Sequence, residues 1–152
     1  MVNVLITGSS RGIGKGIVNR LKLKKSFFLI CVSRSLDCYE NNLLNRGITS
    51  NCVSFCVNVS DLNLCKMLSK KVLYKYSVDI LINNAGITKD NLILRMTQFE
   101  WEEVLRVNLS GCFFMIKSFI SSMLKKRSGS IINISSGVAL TGNAGQSNYC
   151  AA

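Results

Sequence analysis

The sequence contains no histidine, and this absence removes several common kinds of functional site. Among 152 residues the count of His is 0. Ser-His-Asp triads, histidine general bases and histidine-containing zinc sites are therefore excluded. Any proton transfer that the protein carries out must use tyrosine, lysine, carboxylate or thiol groups.

Proline is also absent, and only 11 residues are glycine, with no repeating tract. Collagen-like and low-complexity architectures are therefore excluded. Hydrophobic residues make up 48% of the chain and charged residues 18%, so the chain can bury a core. Its length corresponds to one domain over residues 1–152.

No two cysteines stand in a C-x-x-C spacing, and their total of seven is odd. Cys31, Cys52 and Cys56 lie in apolar runs that are typical of strands, where a thiol packs as a small hydrophobic group. We predict thiols in a reducing compartment and no metal site, with a cysteine-only metal site as the alternative.

Long hydrophobic runs are missing as well. The apolar run at residues 27–32 is far shorter than the ~20 residues of a membrane-spanning helix. The N-terminus carries no basic segment ahead of its short apolar stretch, which argues against a signal peptide. We therefore expect no membrane partner.

Acidic residues are few: 8 Asp and Glu stand against 19 Lys and Arg, giving a net charge of +11. This excess suggests an acidic partner. The lysines fall in small groups near predicted helix ends, however, where positive charge offsets the helix dipole, and solvated helix ends are the favoured interpretation. We expect no nucleic-acid partner because no aromatic residues alternate with the basic groups.

Apolar runs alternate with segments of helical periodicity along the whole chain. The runs predict strands at residues 2–6, 27–33, 52–57, 79–82 and 131–134. Helices are predicted after the first glycine-rich turn and around residues 39–45, where Gly47 is a candidate cap. Two more are predicted after Asp61 and from about 98 to 127. Thr97 and Glu100 fit a capping box at the start of the last one. Strands that are apolar throughout indicate a parallel sheet covered on both faces. The fold class is therefore α/β, a doubly wound Rossmann-type sheet that we expect to be truncated after its fifth strand.

A glycine-rich turn connects the first predicted strand to the first predicted helix. Glycines let the backbone turn sharply and approach a diphosphate, and the helix N-terminus then presents N–H groups to it. The spacing is G-x-x-x-G-x-G, which differs from the standard dinucleotide fingerprint G-x-G-x-x-G. The predicted phosphate-binding residues are Gly8, Ser9, Ser10, Arg11, Gly12, Ile13 and Gly14.

Arg34 follows the second predicted strand, at the place where an acidic residue would bind the ribose 2′-hydroxyl of NAD. A guanidinium group suits the 2′-phosphate of NADP instead, and Arg11 could flank it. We predict NADP as the coenzyme. Asp37 lies nearby, so NAD and a merely solvated Arg34 stay as alternatives.

These motifs, taken in order along the whole chain, resemble those of the short-chain dehydrogenase/reductase family. They comprise Thr7-Gly8-Ser9-Ser10-Arg11-Gly12-Ile13-Gly14, Asn58-Val59 with Asp61, Asn83-Asn84-Ala85-Gly86, Asn108, Ser136 and Tyr149. The resemblance implies that Asn58 and Val59 border the adenine. It also implies that Asn84, Ala85 and Gly86 lie beside the nicotinamide ribose.

Two segments, residues 86–96 and 142–149, resemble the 3-oxoacyl carrier-protein reductases within that family. This resemblance implies NADPH-dependent reduction of a 3-oxoacyl group in fatty acid biosynthesis, by a homotetramer. It also implies docking of the acidic carrier protein near Lys125, Lys126 and Arg127. Another carbonyl or alcohol as substrate, and a truncated NADP-binding pseudoenzyme, are the alternatives.

The family resemblance assigns three catalytic roles. Tyr149 would supply a proton to the alkoxide formed by hydride transfer, Ser136 would orient the carbonyl, and Asn108 would hold a proton-relaying water. A phenol ordinarily has a pKa of about 10, and a lysine four residues further along a helix would lower it. Ser136 is preferred over Ser135 because it lies thirteen positions before Tyr149, which is the family's spacing.

The family's lysine would stand at the position after Ala152, where the sequence ends. We therefore interpret the chain as a fragment of a longer reductase and expect the 152 residues alone to have negligible activity and exposed apolar surface. The carrier-protein substrate suits a bacterial cytoplasm or a plastid stroma.

Overall fold

Five strands form one sheet in the computed structural model, which describes residues 1–34 and 51–152. They are β1 (Val2–Thr7), β2 (Phe27–Ser33), β3 (Cys52–Cys56), β4 (Ile80–Asn83) and β5 (Ser130–Asn133). Their order is β3-β2-β1-β4-β5, and every neighbouring pair is parallel. All five predicted strands are therefore confirmed, with bounds that differ by at most one residue.

The helices lie between these strands along the chain. They are α1 (Gly12–Lys22), α2 (Leu62–Lys75), α3 (Gln98–Leu105), α4 (Gly111–Lys125), α5 (Val138–Thr141) and α6 (Ser147–Ala151). The short helix predicted around residues 39–45, with its Gly47 cap, lies outside the described residues.

Side chains of β1 alternate between two hydrophobic clusters, one on each face of the sheet. Val4 and Ile6 pack with Val18 of α1. Leu5 belongs to the cluster on the other face, which contains Phe119 of α4 together with buried residues of α2. A sheet covered by helices on both faces is the doubly wound architecture, so the predicted fold class is confirmed.

Two predicted helix starts rest on side chains that cap the helix. The Asp61 carboxylate accepts hydrogen bonds from the backbone N–H groups of Asn63 and Leu64 at the start of α2. At the start of α3, Thr97 and Glu100 form the reciprocal capping box that the sequence predicted.

The long helix predicted from about 98 to 127 is interrupted in its hydrogen bonding. A π-helical turn, Arg106–Ser110, joins α3 to α4, and the helix ends at Lys125. Such single π turns often occur at functional sites. Sequence periodicity could not show this turn because it inserts one residue without changing the apolar character of the helix.

The combined helix Gln98–Lys125 is also long and apolar enough, by length and composition alone, to cross a membrane; it alone passes that test within residues 1–34 and 51–152. Met115, Phe119 and Met123 of this helix are buried against the sheet. Core helices of globular proteins meet the same criteria, so the finding carries little weight for a membrane location.

The strand order reverses between β1 and β4. The connection from β1 leads to β2 on one side, whereas β4 and β5 continue on the other side. In open parallel sheets a crevice forms beyond the carboxyl ends of the strands at this switch point. Except for Asn108, in the π-helical turn, and Tyr149, in α6, the predicted site residues follow the strands at those ends, which places them around one crevice.

Candidate active site

The turn after β1 depends on two glycines that leave no room for a side chain. Gly8 has a φ of 65°, and a Cβ atom there would lie 2.7 Å from the Cα of Ala85. A Cβ on Gly14 would lie 2.3 Å from the carbonyl oxygen of Gly8 and 2.4 Å from the side-chain nitrogen of Asn84. Helix α1 thus approaches the end of β4 as closely as its backbone allows.

Hydrogen bonds from Asn84 and Ala85 hold the β1 turn against the end of β4. The Asn84 side-chain nitrogen donates to the carbonyl oxygens of Thr7, at 2.9 Å, and Gly8, at 3.2 Å. The Thr7 hydroxyl accepts from the backbone N–H groups of Asn84 and Ala85, both at 3.0 Å. Thr7 is buried, and the sequence analysis did not single it out as a site residue.

Ser9 ties the same turn to β2. Its backbone N–H and its hydroxyl both donate to the carbonyl oxygen of Val32, at 3.3 and 2.9 Å. Ser9 is fully buried, so it supports the turn instead of facing a ligand.

The N-terminus of α1 differs from those of α2 and α3 because no side chain caps it. Arg11 occupies the cap position without a side-chain hydrogen bond, and no acidic residue lies in the first turn. The N–H groups of that turn and the positive end of the helix dipole therefore remain available to an anion. Together with the space left by Gly8 and Gly14, this arrangement fits a diphosphate.

A cavity of about 440 Å³ lies beside this helix end. Its wall contains most of the predicted coenzyme residues: Gly8, Ser10, Arg11, Gly12, Ile13, Arg34, Asn58, Val59, Asn84, Ala85 and Gly86. The exceptions are Ser9 and Gly14, which lie behind the turn. We call this cavity the first cavity. Its wall residues follow the carboxyl ends of β1, β2, β3 and β4. A ligand bound there would therefore lie along that edge of the sheet, across the ends of several strands.

A second cavity, of about 410 Å³, contains the three predicted catalytic residues in its wall: Asn108, Ser136 and Tyr149. It shares residues with the first cavity, including Asn84, Ala85 and Gly86, so the two adjoin. Ser135 also lines it, so the geometry does not decide between the two serines.

Asn108 stands in the π-helical turn and connects it to the segment after β4. Its side-chain oxygen accepts from the backbone N–H of Ile87 at 2.9 Å, and its side-chain nitrogen donates to the Ile87 carbonyl oxygen at 3.0 Å. Ile87 lines both cavities. In this structure the amide of Asn108 therefore fixes the backbone where the cavities meet.

Asn148 was missed by the sequence analysis, although it precedes Tyr149. It is fully buried, and its side-chain nitrogen donates to the carbonyl oxygens of Lys89, at 2.9 Å, and Glu100, at 3.2 Å. Its side-chain oxygen accepts from the backbone N–H of Tyr149 at 2.8 Å. These bonds attach α6, which carries Tyr149, to the β4–α3 segment. The signal was a polar residue inside a short helix, which sequence alone does not distinguish from a surface position.

Cys112 of α4 also lines the second cavity and was not predicted there. Its sulfur lies 3.6 Å from the side-chain oxygen of Asn133, which accepts a hydrogen bond from Asn83 at 2.9 Å. Burial raises the pKa of Cys112 above its ordinary value, which keeps this thiol protonated near neutral pH.

The basic group proposed from sequence lies at the other edge of the sheet. Lys125 ends α4, and β5 begins only at Ser130, so Lys125, Lys126 and Arg127 lie near the amino ends of the strands. Lys126 forms an ion pair with Asp79 and donates to the Val78 carbonyl oxygen at 3.0 Å. Its charge is therefore already engaged inside the domain.

Within residues 1–34 and 51–152, no group of three or more Cys, Asp or Glu residues could hold a metal ion. The polar groups around the two cavities are amides, hydroxyls, backbone N–H groups, the guanidinium groups of Arg11 and Arg34, and the thiol of Cys112. These groups suit a dinucleotide and an organic carbonyl.

A parallel Rossmann-type sheet with a glycine-rich turn at its switch point is the arrangement that binds dinucleotides, and here it adjoins a cavity lined by serine, tyrosine and asparagine side chains. The model for short chain dehydrogenases matches residues 2–152. The chain belongs to the short chain dehydrogenase family.

Within this family, the chain is similar to two curated reductases of the same name. The chain is 42% identical over 147 residues to the 3-oxoacyl-(acyl-carrier-protein) reductase FabG of Buchnera aphidicola from Acyrthosiphon pisum, covering 96% of this chain and 59% of the relative. It is 39% identical over 151 residues to the reductase of the same name from Haemophilus influenzae, covering 97% of this chain and 60% of the relative. The chain thus spans about three fifths of the length of these curated relatives.

A solved structure of a short-chain dehydrogenase from Streptomyces avermitilis superposes with a TM-score of 0.90 at 25% identity. It covers 99% of this chain and 56% of that protein. This similarity supports the fold described above across the full chain.

Proposed function

We propose that the protein is an NADPH-dependent reductase of 3-oxoacyl groups carried on acyl carrier protein, acting in fatty acid biosynthesis. The observation that carries the proposal is the uncapped start of α1 under the glycine turn, adjoining the cavity that holds Asn108, Ser136 and Tyr149. The relatives named above carry this reductase name and are all bacterial, which favours a bacterial cytoplasm over a plastid stroma.

The coenzyme would lie across the first cavity. The diphosphate would be held by the backbone N–H groups at the start of α1, and the adenine would lie near Asn58 and Val59. Arg34, which is exposed and lines this cavity, would donate to a 2′-phosphate. NADPH is therefore preferred over NADH in this proposal.

The bound coenzyme supplies a hydride to the carbonyl carbon. Within the second cavity Ser136 donates a hydrogen bond to the carbonyl oxygen, which orients the substrate and stabilises the developing negative charge. The phenol of Tyr149 donates its proton to that oxygen. Asn108 holds the Ile87 backbone in place, and in this proposal a water bound beside it would resupply the proton.

The carrier protein is acidic in the family's reaction, so a basic surface would receive it. Because Lys126 is paired with Asp79, docking at this surface would depend on Lys125 and Arg127. These residues lie at the sheet edge opposite the cavities. In this proposal the docking surface and the two cavities therefore lie at opposite edges of the sheet.

Coenzyme binding by the full-length protein tests the first part of the proposal. NADPH fluorescence titration is expected to saturate, and Arg34→Gln is expected to weaken NADPH binding by about 10- to 100-fold, the value of a charge-assisted hydrogen bond. NADH binding should not change. Arg20→Gln, an exposed arginine of α1, is the matched control. Equal loss for both coenzymes would remove the 2′-phosphate role from Arg34.

Turnover of acetoacetyl-carrier protein tests the second part. Tyr149→Phe is expected to lower kcat by about 100-fold or more while the NADPH affinity stays the same, because the ring keeps its packing and only the proton donor is lost. Ser136→Ala is expected to lower kcat much more than Ser135→Ala does. If the two serine variants behave alike, the assignment of Ser136 fails; if no acyl-carrier substrate is reduced but another carbonyl is, the substrate assignment fails.

A further inference from the structure

Two cysteine thiols lie side by side between β2 and β3, on the face of the sheet that α1 covers. The Sγ atoms of Cys31 and Cys52 are 3.6 Å apart. In the strand register Cys31 lies opposite Ser54, and Cys52 lies opposite Leu29. Because residues two apart on a strand point to the same face, both thiols project to one side.

The two thiols differ in access to solvent. Cys31 is fully buried in the cluster beneath α1, whereas Cys52 is only partly covered and packs at the rim of that cluster. A small oxidant can therefore reach Cys52 first, with Cys31 directly behind it. This is the arrangement of an attacked thiol with a resolving partner.

The surroundings also favour the thiolate form of Cys52. Its hydrogen bond with Cys31 lowers the pKa of Cys52 below the ordinary value, burial opposes this, and the positive charge of Lys22 adds to the lowering. Cys65 provides the contrast within the same domain: burial, helped by Asp61, raises the pKa of Cys65 to about 11.

We propose that Cys31 and Cys52 are an oxidation site, at which a hydroperoxide converts the two thiols into a reversible disulfide. The Cys52 thiolate attacks the peroxide oxygen, giving a sulfenic acid and releasing water or an alcohol. The Cys31 sulfur then attacks the Cys52 sulfur and displaces hydroxide, which leaves as water with the Cys31 proton. Two thiols are oxidised, one peroxide is reduced, and a dithiol reductant reverses the change.

Formation of the disulfide is expected to change the structure of the first cavity. The sulfurs must approach from 3.6 Å to about 2.05 Å. Because Cys31 and Cys52 are two positions out of register on strands that are already hydrogen-bonded, the bond is expected to distort the pairing of β2 and β3. The next residue, Val32, accepts both hydrogen bonds from Ser9, which hold the glycine turn. This consequence rests on the proposed function: oxidation is expected to weaken NADPH binding several-fold.

Peptide mapping of the full-length protein after hydrogen peroxide treatment tests the site. Trypsin releases Cys31 in residues 26–34, Cys38 in residues 35–46 and Cys52 in residues 47–66, and a further cut by chymotrypsin after Phe55 separates Cys52 from Cys56 and Cys65. Because chymotrypsin also cuts after Phe27 and Phe28, we expect the fragment of residues 26–34 that contains Cys31 to be joined to the fragment containing Cys52, with the loss of two hydrogen atoms in mass and full reversal by dithiothreitol.

Variants separate the two roles. In Cys31→Ala the sulfenic acid on Cys52 should persist and be trapped by dimedone, because the resolving thiol is gone. In Cys52→Ser, Cys31 should stay unmodified. Cys56→Ser is the matched control: Cys56 is exposed, donates to the Arg34 carbonyl oxygen at 3.0 Å, and should leave the disulfide yield unchanged. Thermal unfolding of the reduced variants checks that each one folds.

Two results would overturn the proposal: peroxide modifies Cys56 alone, or peptide 26–34 is joined to residues 35–46 instead. A disulfide that forms without changing the NADPH affinity would overturn only its link to the cavity. Failure of the proposed function is seen separately, as an absence of NADPH binding by the reduced protein.

Discussion

The first and second cavities adjoin, but they are built from different kinds of contact. In the first, side-chain hydrogen bonds of Asn84 and Thr7 are joined by close backbone contacts: the Gly8 carbonyl, the α1 backbone at Gly14 and the end of β4 leave no room for a Cβ atom. In the second, side-chain amides span gaps between elements: Asn108 bonds to Ile87, and Asn148 bonds to two carbonyl oxygens. Close backbone contacts tolerate no substitution, whereas an amide bridge leaves space when it is removed.

This difference predicts how stability and function separate in the two cavities. Changes at the first cavity should lower coenzyme affinity and the free energy of unfolding together, because one set of contacts supports both. Changes at the second should reduce turnover more than they reduce stability or coenzyme affinity.

Gly14→Ala should have the largest effect. The new methyl group would lie 2.3 Å from the Gly8 carbonyl oxygen, so α1 must move away from the turn. We expect a loss of about 3 kcal/mol or more in the free energy of unfolding, together with loss of measurable NADPH binding. Chemical denaturation and coenzyme titration measure the two quantities.

Gly16→Ala is the matched control for that substitution. It lies on the same helix with no heavy atom within 4 Å of its built Cβ. Alanine should stabilise the helix there by up to about 1 kcal/mol. If Gly14→Ala and Gly16→Ala changed the unfolding free energy and the NADPH affinity equally, the close approach at Gly14 would not support the first cavity.

Thr7→Val should rank second. Valine keeps the shape of the buried side chain but removes the oxygen that accepts from the backbone N–H groups of Asn84 and Ala85. Two partly buried donors without partners should cost about 2–3 kcal/mol of unfolding free energy, with a parallel loss of coenzyme affinity. Thr7→Ser retains the hydroxyl and should recover most of both losses; if it does not, the methyl packing matters more than the hydrogen bonds.

Local signals in the sequence were enough to predict the framework. The run at residues 27–33 is apolar throughout, and its strand, Phe27–Ser33, has those bounds because a doubly covered sheet needs no polar alternation. The capping groups Asp61, Thr97 and Glu100 act within three residues of their own positions, so they too were visible.

Features that depend on distant partners could not be predicted in this way. The close approach at Gly14 involves Asn84, seventy positions further along the chain, and Asn148 acts on Lys89 and Glu100. Asn108 in the π-helical turn bonds to Ile87. A helical wheel shows only the residues of one helix, so it cannot show that contact. The ion pair of Lys126 likewise depends on Asp79, which lies just before β4.

Asn108→Ala should have a smaller effect on stability than the two changes at the first cavity. It removes both bonds to the Ile87 backbone but leaves space that water can enter, since Asn108 is only partly buried. We expect about 1–2 kcal/mol of unfolding free energy and a clear fall in kcat, with little change in NADPH affinity. Asn63→Ala, at an exposed asparagine of α2, controls for the substitution itself. A large loss of coenzyme affinity would show that the two cavities are not separable.

The smallest effect is expected at Asp79, which lies at the amino edge of the sheet, away from both cavities. Partial burial raises the pKa of Asp79, but the hydrogen bond from the Asn3 backbone N–H and the ion pair with Lys126 outweigh it and hold the pKa below its ordinary value. A carboxyl group whose pKa is lower in the folded state stabilises the fold above its unfolded pKa of about 3.9, and this stabilisation is lost as the pH falls through the folded value. Because the Asp79 side chain is 32% exposed, solvent screening limits the contribution to about 1 kcal/mol or less.

Asp79→Asn should therefore destabilise the protein slightly at pH 7, and its unfolding curve should converge with that of the unmodified protein below about pH 4. Lys126→Met should behave in the same way, and the double variant should lose less than the sum of the two single losses. Coenzyme affinity should be the same in all three variants. A fall in NADPH affinity in any of them would mean that the amino edge is coupled to the first cavity through β1 and β4, the two strands that meet at Asn3 and Asp79 and end at the glycine turn and Asn84.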